Sequence, residues 1–258
     1  MRYFVRFSYV GTEFHGSQTQ PNGVTVQEVM EKAFATLLRC PVSLTFAGRT
    51  DAGVHAREMW AHWDWNAESE ELVRPIPPMT QLAERLNNLL PSSIAVQHIV
   101  PVCNDAHARY SATARQYEYH ITSRKDPFAV GRATRVASNM DFTAMNEAAQ
   151  LLLGRHDFAS FCKVHTDVKT TFCTVRQAVW KPMEDEQAVF IIEADRFLRN
   201  MVRAIVGTLL EVGRSKMTIE QFRDVIAAKN RCAAGQSVPA QGLYLVRVVY
   251  PDTVFMKE

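Results

Sequence analysis

The residues of this 258-residue chain best suited to chemistry lie in one short string, GRTDAGVHA, Gly48 to Ala56. It sets Arg49, Thr50 and Asp51 between two glycines, just after the apolar run Val42 to Ala47. Such a loop places a carboxylate beside a cation at a strand end, where the scaffold is stiff and a ligand can approach. Local chemistry by itself favours a simpler role, in which Asp51 accepts backbone hydrogen bonds in a Gly-flanked turn. Three further strings alter that balance. HARYSATARQYEY, His107 to Tyr119, packs His107, Arg109, Tyr110, Arg115, Tyr117 and Tyr119 into thirteen residues. Cations interleaved with aromatics suit base stacking and phosphate pairing, although a half-exposed strand carries tyrosines too. FLRNMVRAIVG, Phe197 to Gly207, reads as a helix with an apolar face (Phe197, Leu198, Met201, Val202, Ile205) and with Arg196, Arg199 and Arg203 at i, i+3 and i+7. Those arginines form a surface stripe, or else Arg203, flanked by Val202 and Ala204 to Val206, is partly buried and needs a carboxylate partner. The last string, Ala233 to Pro251, is a Gly/Pro-punctuated loop running into an apolar strand.

Composition bounds what this chemistry can serve. Apolar residues make up 47% and charged residues 22%, as in an ordinary globular protein of one large domain or two smaller ones. No apolar run approaches the roughly 20 residues of a membrane helix, and Met1-Arg2-Tyr3 opens directly in a strand pattern, so a cytoplasmic protein with no membrane association is expected. The five cysteines are scattered without a Cys-x-x-Cys pair, which argues for free thiols and against a zinc site. His55 and His62 lack a second ligand at zinc spacing. Dinucleotide, P-loop, zincin and nucleophile-elbow signatures are all absent. Net charge is only +2, but it is unevenly spread. Residues 1 to 105 hold 8 basic against 11 acidic side chains, net −3, and the remainder 21 against 16, net +5. A polyanion would lean mainly on the second half.

The elements that must position these strings follow from periodicity and end signals. Arg2 to Val10 alternates as a strand whose apolar face is Tyr3, Val5, Phe7 and Tyr9. A polar loop follows, and then a helix opened by Thr25 with Glu28 three residues on. Val42 to Ala47 and Met59 to Trp65 read as strands, Thr80 to Leu90 as a helix, and Ile94 to Val102 as a strand, with the acidic run Glu68 to Glu71 as a solvated loop. The second half repeats the order more loosely. Gln116 to Thr122 is a strand, Asp141 caps a helix through Leu153, and Thr171 to Trp180 with Ala188 to Ala194 form a hairpin. Helices Leu198 to Val212 and Thr218 to Ala228 precede a final strand, Leu243 to Tyr250. Each half is then β-α-β-β-α-β, the split βαβ or ferredoxin-like arrangement, giving an α+β chain divided into residues 1–105 and 106–258. Two such sheets edge to edge make one extended, mixed and mainly antiparallel sheet with a central cleft, where an elongated polymer could bind.

Taken together, GRTDAGVHA, HARYSATARQYEY, FLRNMVRAIVGTLLEVG and PAQGLYLVRVVYP resemble the TruA family of tRNA pseudouridine synthases, in the same order and at similar spacings from Arg2 to Pro251. The resemblance implies the pseudouridine synthase fold and conversion of uridine to pseudouridine at positions 38 to 40 of the tRNA anticodon arm, by a cytoplasmic homodimer that uses no cofactor and no metal. Residue by residue, it makes Asp51 the catalytic aspartate and Arg203 its paired arginine. Tyr117 contacts the target base, Arg49 helps hold the flipped nucleotide, and Leu245 lines the base pocket. Arg109, Arg115 and Arg199 are the candidate RNA-binding cations. The sequence departs from the family pattern at Ser17, where tryptophan is usual, at Glu58-Met59-Trp60, where Gly-Gln-Val commonly stands, and at Asn200, where histidine is usual.

The implied chemistry suits the residues. Moving a glycosidic bond from nitrogen to carbon is redox-neutral, so a carboxylate suffices. Asp51 could attack ribose C1′, add to C6 of uracil, or remove a C2′ proton. Each route needs an ionised carboxylate in a dry pocket, and Arg203 would supply the compensating charge. The competing class is a non-catalytic RNA-binding protein in which Phe4, Phe7 and Tyr9 serve as base platforms, but no RNP1-like string is present.

Overall fold

The computed structural model describes residues 1–65, 76–163 and 169–256. The expected loop at Glu68 to Glu71 therefore lies outside the described residues. In chain order the elements are β1 (Arg2–Tyr9), α1 (Val26–Leu38), β2 (Thr45–Phe46), β3 (His55–Asp64), α2 (Met79–Leu89), β4 (Ile94–Val102), β5 (Ala114–Thr122), β6 (Thr134–Arg135), α3 (Phe142–Gln150), β7 (Gly154–Asp157), β8 (Phe172–Pro182), β9 (Gln187–Ala194), α4 (Met201–Gly213), α5 (Ile219–Ala228) and β10 (Leu243–Val249). The architecture is α+β; β1 pairs antiparallel with β3 and β4, β2 with β3, β5 with β9, β7 with β8 and β8 with β9, and β5 pairs parallel with β6. The chain forms two compact units, residues 1–113 with 245–258, and residues 114–244.

In the first unit β1 is the central strand, paired with β3 on one side and β4 on the other. Its expected apolar face is buried: Tyr3 stacks on Trp63 at 5.3 Å, and Phe34 of α1 meets the same indole edge-on at 4.9 Å. The opposite face is buried as well, which alternation alone did not show. Phe4 is fully buried among Trp60, Tyr250 and Phe255. Both faces of β1 are therefore removed from water. Helix α1 starts where the sequence indicates, because the Thr25 hydroxyl accepts from the Glu28 N–H at 3.3 Å and satisfies an otherwise orphaned donor. Strand β3 begins at His55, four residues before the expected start, so the loop that carries Asp51 is shorter than its motif. Conversely, only Thr45 and Phe46 of the Val42 to Ala47 run form a strand.

In the second unit the path is β5-β9-β8-β7, with β6 beside β5. The expected β8–β9 hairpin is present, and its inner face buries Trp180 against Phe190 at 5.1 Å. Helix α3 is capped by Asp141, whose carboxylate accepts from the Ala144 N–H at 2.9 Å. Helix α5 opens with a full capping box, in which Thr218 and Gln221 satisfy each other's backbone donors. Helix α4 is apolar around almost its whole circumference and is buried accordingly. It starts at Met201, not at Leu198, because Asn200 takes a left-handed conformation at φ 66° that no continuing helix can contain. Arg196 and Arg199 therefore lie ahead of the helix, so of the two readings of these arginines the helical surface stripe is excluded. Strands β6 and β7, of two and four residues, were not read from the sequence.

Candidate active site

Asp51 sits in the connection between β2 and β3, and Thr50 beside it is fixed by side chains from elsewhere in the first unit. The hairpin ladder extends to Ala47, whose N–H donates to the Trp60 carbonyl at 2.7 Å. The loop then closes tightly, with the Val54 N–H on the Asp51 carbonyl at 3.2 Å. Thr50 is buried and bonded on three sides. Its N–H donates to Ser17 Oγ at 2.8 Å, its carbonyl accepts from the Ser17 N–H at 3.2 Å, and its hydroxyl meets the Tyr9 hydroxyl at 2.8 Å. Ser17 is itself fully buried, and its carbonyl accepts the Gln27 N–H in the first turn of α1. On the far side of Asp51, His55 Nδ1 accepts the Gly11 N–H at 3.0 Å. Gly11 must be glycine for packing reasons, since a Cβ there would fall 1.9 Å from the Val54 carbonyl oxygen.

Buried hydrogen bonds of this kind leave the backbone around Asp51 little freedom, while Asp51 remains half-buried and Arg49 exposed. A carboxylate held this way loses little further entropy when it engages a substrate. No local pattern marks Tyr9, Gly11 or Ser17 as supports of the loop, since their partners lie 41, 43 and 33 residues away.

Leu245, the other expected pocket residue of this unit, is buried on β10. Close by in sequence, Val248 donates its N–H to the Glu58 carboxylate at 2.9 Å, and Arg6 pairs with the other Glu58 oxygen at 2.9 Å. Glu58 thus bridges β1, β3 and β10. Arg109 is exposed, with its guanidinium 5.8 Å from the Tyr110 ring centre.

The second unit holds the remaining expected residues. Tyr117 lies half-buried on β5, its ring edge-on to Phe197 at 5.0 Å. Arg203, half-buried on the first turn of α4, donates through Nε to the Val238 carbonyl at 2.8 Å and accepts the Val238 N–H on its own carbonyl at 3.2 Å. This pair of bonds fixes the root of the guanidinium against the segment before β10. Asn200 and Arg231 tie the same segment through Ser237 Oγ at 2.6 and 2.9 Å. Arg115 donates to the Asp195 carbonyl at 2.9 Å. Arg199 is exposed in the turn before α4. Tyr119, grouped by sequence with the stacking aromatics, is a core residue. It is fully buried, its hydroxyl meets Thr134 and Pro239, and burial pushes its ionisation well above the usual range.

The competing use of the first strand fails on burial. Phe4, Phe7 and Tyr9 are 0, 0 and 4% exposed and cannot stack on bases. Among the described residues no group of three or more His, Cys, Asp or Glu could hold a metal ion.

A family model described as tRNA pseudouridine synthase matches residues 148–251. Over 257 residues the chain is 54% identical to the tRNA pseudouridine synthase A of Parabacteroides distasonis, covering 100% of this chain and 99% of that one. The Bacteroides fragilis enzyme of the same name is 50% identical over 98% of each chain, and that of Bacillus licheniformis 39% identical over 98% of this chain and all of its own. The chain belongs to the tRNA pseudouridine synthase A family. It is accordingly an isomerase that converts uridine to pseudouridine. Membership in the tRNA pseudouridine synthase A family also accounts for the α+β architecture with its large, mainly antiparallel sheet content. No helix among the described residues is long and apolar enough to cross a membrane.

Proposed function

We propose that the chain isomerises uridine at positions 38 to 40 in the tRNA anticodon arm and that Asp51 is the reacting carboxylate. The observation that carries this is the locked Thr50, which sets Asp51 half-buried at a hairpin end in a member of a uridine-isomerising family. Isomerisation breaks the bond from N1 to C1′, forms one from C5 to C1′, and moves a proton from C5 to N1. Nothing is oxidised and no group leaves, so Asp51 can serve without a cofactor or metal. Attack at C1′, addition at C6 and removal of the C2′ proton each begin from the ionised carboxylate. Arg203 is the cation paired with it, a role that rests on the family resemblance; its Nε is rooted on the Val238 carbonyl.

A uridine stacked in a stem must be extruded before any carboxylate can reach it, at a cost of about a few kcal/mol. Stacking on Tyr117, worth about 1 to 3 kcal/mol, offsets this, with Arg49 near the vacated position and Leu245 lining the base pocket. Arg109, Arg115 and Arg199 contact the tRNA backbone. The working form is a cytoplasmic homodimer, a reading that rests on the family resemblance and is checked by sedimentation.

Unmodified tRNA transcripts incubated with the protein should acquire pseudouridine, mapped by position, within 38 to 40 only. Product elsewhere in the tRNA, or none, overturns the substrate assignment.

A further inference from the structure

Tyr110 is 76% exposed, yet the backbone and ring beneath it are among the most constrained parts of the first unit. Its ring lies 4.4 Å from His107, tilted by 39°, and His107 in turn meets His62 at 4.6 Å. Nδ1 of His107 accepts the N–H groups of Arg109 and Tyr110 at 3.1 and 3.3 Å, so the imidazole cannot turn without freeing two donors. The turn is closed a second time by Ser111, whose N–H donates to the His107 carbonyl and whose hydroxyl accepts the His107 N–H, both at 2.9 Å. Below it Ala108 is fully buried, with its N–H on His62 Nδ1 at 3.1 Å and its carbonyl accepting the Tyr250 hydroxyl at 2.5 Å. Arg2 fixes the Ala106 carbonyl at 2.8 Å. Above this pinned turn, the Arg109 guanidinium lies 5.8 Å from the Tyr110 ring centre.

The hydrogen bonds fix the Tyr110 backbone and the His107 imidazole on which the exposed ring rests, so binding on the face of this ring costs less than binding to a side chain on a mobile loop. Burial lowers the proton affinity of both His62 and His107, so the ring stack beneath is neutral near pH 7; Arg2 below it is paired with Asp64, and the exposed cation beside the Tyr110 ring is Arg109. A flat neutral surface with one guanidinium beside it matches a nucleotide, base on the ring and phosphate on the arginine.

We infer that Tyr110 is a stacking platform for a base of the substrate tRNA other than the target uridine, with Arg109 on the adjoining phosphate. The inference rests on the tRNA assignment above and extends substrate contact to a residue that assignment does not use.

The test is Tyr110→Ala and Tyr110→Phe, assayed with an unmodified tRNA transcript and by anisotropy of a labelled transcript. Tyr110→Ala should raise both KM and Kd by about 5- to 150-fold, the span that about 1 to 3 kcal/mol of stacking represents, with kcat at saturating tRNA changed by less than about twofold. Tyr110→Phe keeps the ring and should recover most of the affinity. Unchanged KM and Kd in Tyr110→Ala, or equal losses in the two variants, would overturn the platform. So would a change in sedimentation of Tyr110→Ala, which would place the ring against a second copy of the chain. A wild-type protein inactive on tRNA sinks the functional assignment instead, so the two failures are distinct.

Discussion

Gly207→Ala should damage this protein, although alanine is the better helix former by about 1 kcal/mol in a helix interior. Gly207 lies within buried α4, and a Cβ there would fall 1.8 Å from the Gln236 carbonyl oxygen and 2.9 Å from its carbon. Both atoms are backbone, so no side chain can swing aside, and the segment must retreat by roughly 1 Å or more to reach ordinary contact distance. Overpacking of this kind costs about 1 to 3 kcal/mol, which outweighs the propensity gain at its upper end. The larger effect should be on activity. The segment that would have to move carries Ser237 and Val238, and Val238 is hydrogen-bonded to the Arg203 side chain and main chain. Urea unfolding should show a loss of up to about 2 kcal/mol, and single-turnover pseudouridine formation at 25 °C, with the variant still folded, should slow by at least about tenfold. Gly48→Ala is the matched control for stability, because nothing lies within 4 Å of a Cβ at that position. If Gly207→Ala proves as stable and as active as the wild type, the close approach of α4 to residues 235–238 does not position Arg203 as argued.

Two further outcomes follow from the first unit. Ser17→Ala removes the acceptor of the buried Thr50 N–H, an expected cost of about 1 to 3 kcal/mol; kcat should fall with KM for tRNA nearly unchanged, and Ser17→Thr should restore part of it. A KM effect without a kcat effect would show that Ser17 does not act through the Asp51 loop. His62 has its pKa lowered from 6.5 to about 4, first by burial and then by the charge of Arg2. Below pH 6.5 the unfolded chain takes up a proton that the folded chain refuses, so stability is lost as pH falls from about 6.5 towards 4, by up to about 3 kcal/mol for this group. Urea titrations across that range should show a smaller decline for His62→Gln, which keeps an acceptor for the Ala108 N–H; an equal decline would assign the effect to other groups.

Local signals carried the elements whose ends are chemically marked. Thr25, Asp141 and Thr218 each announce a helix start, and each caps one in the structure. Ile94 to Val102 reads as a strand and is strand β4 over that span. Where the deciding interaction is distant or conformational, the local reading failed. The left-handed Asn200 ends the apparent arginine stripe, and the apolar periodicity from Phe197 to Val202 runs past it without a break. Phe4 looked like the polar side of β1, because the aromatic residues that bury it come from positions 60, 250 and 255. Asp51 was legible through the types of its neighbours. The Tyr9, Ser17 and Gly11 supports that hold its loop were not, since each is defined only once the chain has folded back on itself.

The catalytic assignment is tested most directly by Asp51→Asn, which replaces one carboxylate oxygen with nitrogen and keeps the side chain's size. Incubated with unmodified tRNA transcript under single-turnover conditions, this variant should bind the tRNA and form no pseudouridine, while the wild type converts it. Pseudouridine formed by Asp51→Asn at a rate comparable to the wild type would contradict the role of Asp51 as the reacting carboxylate.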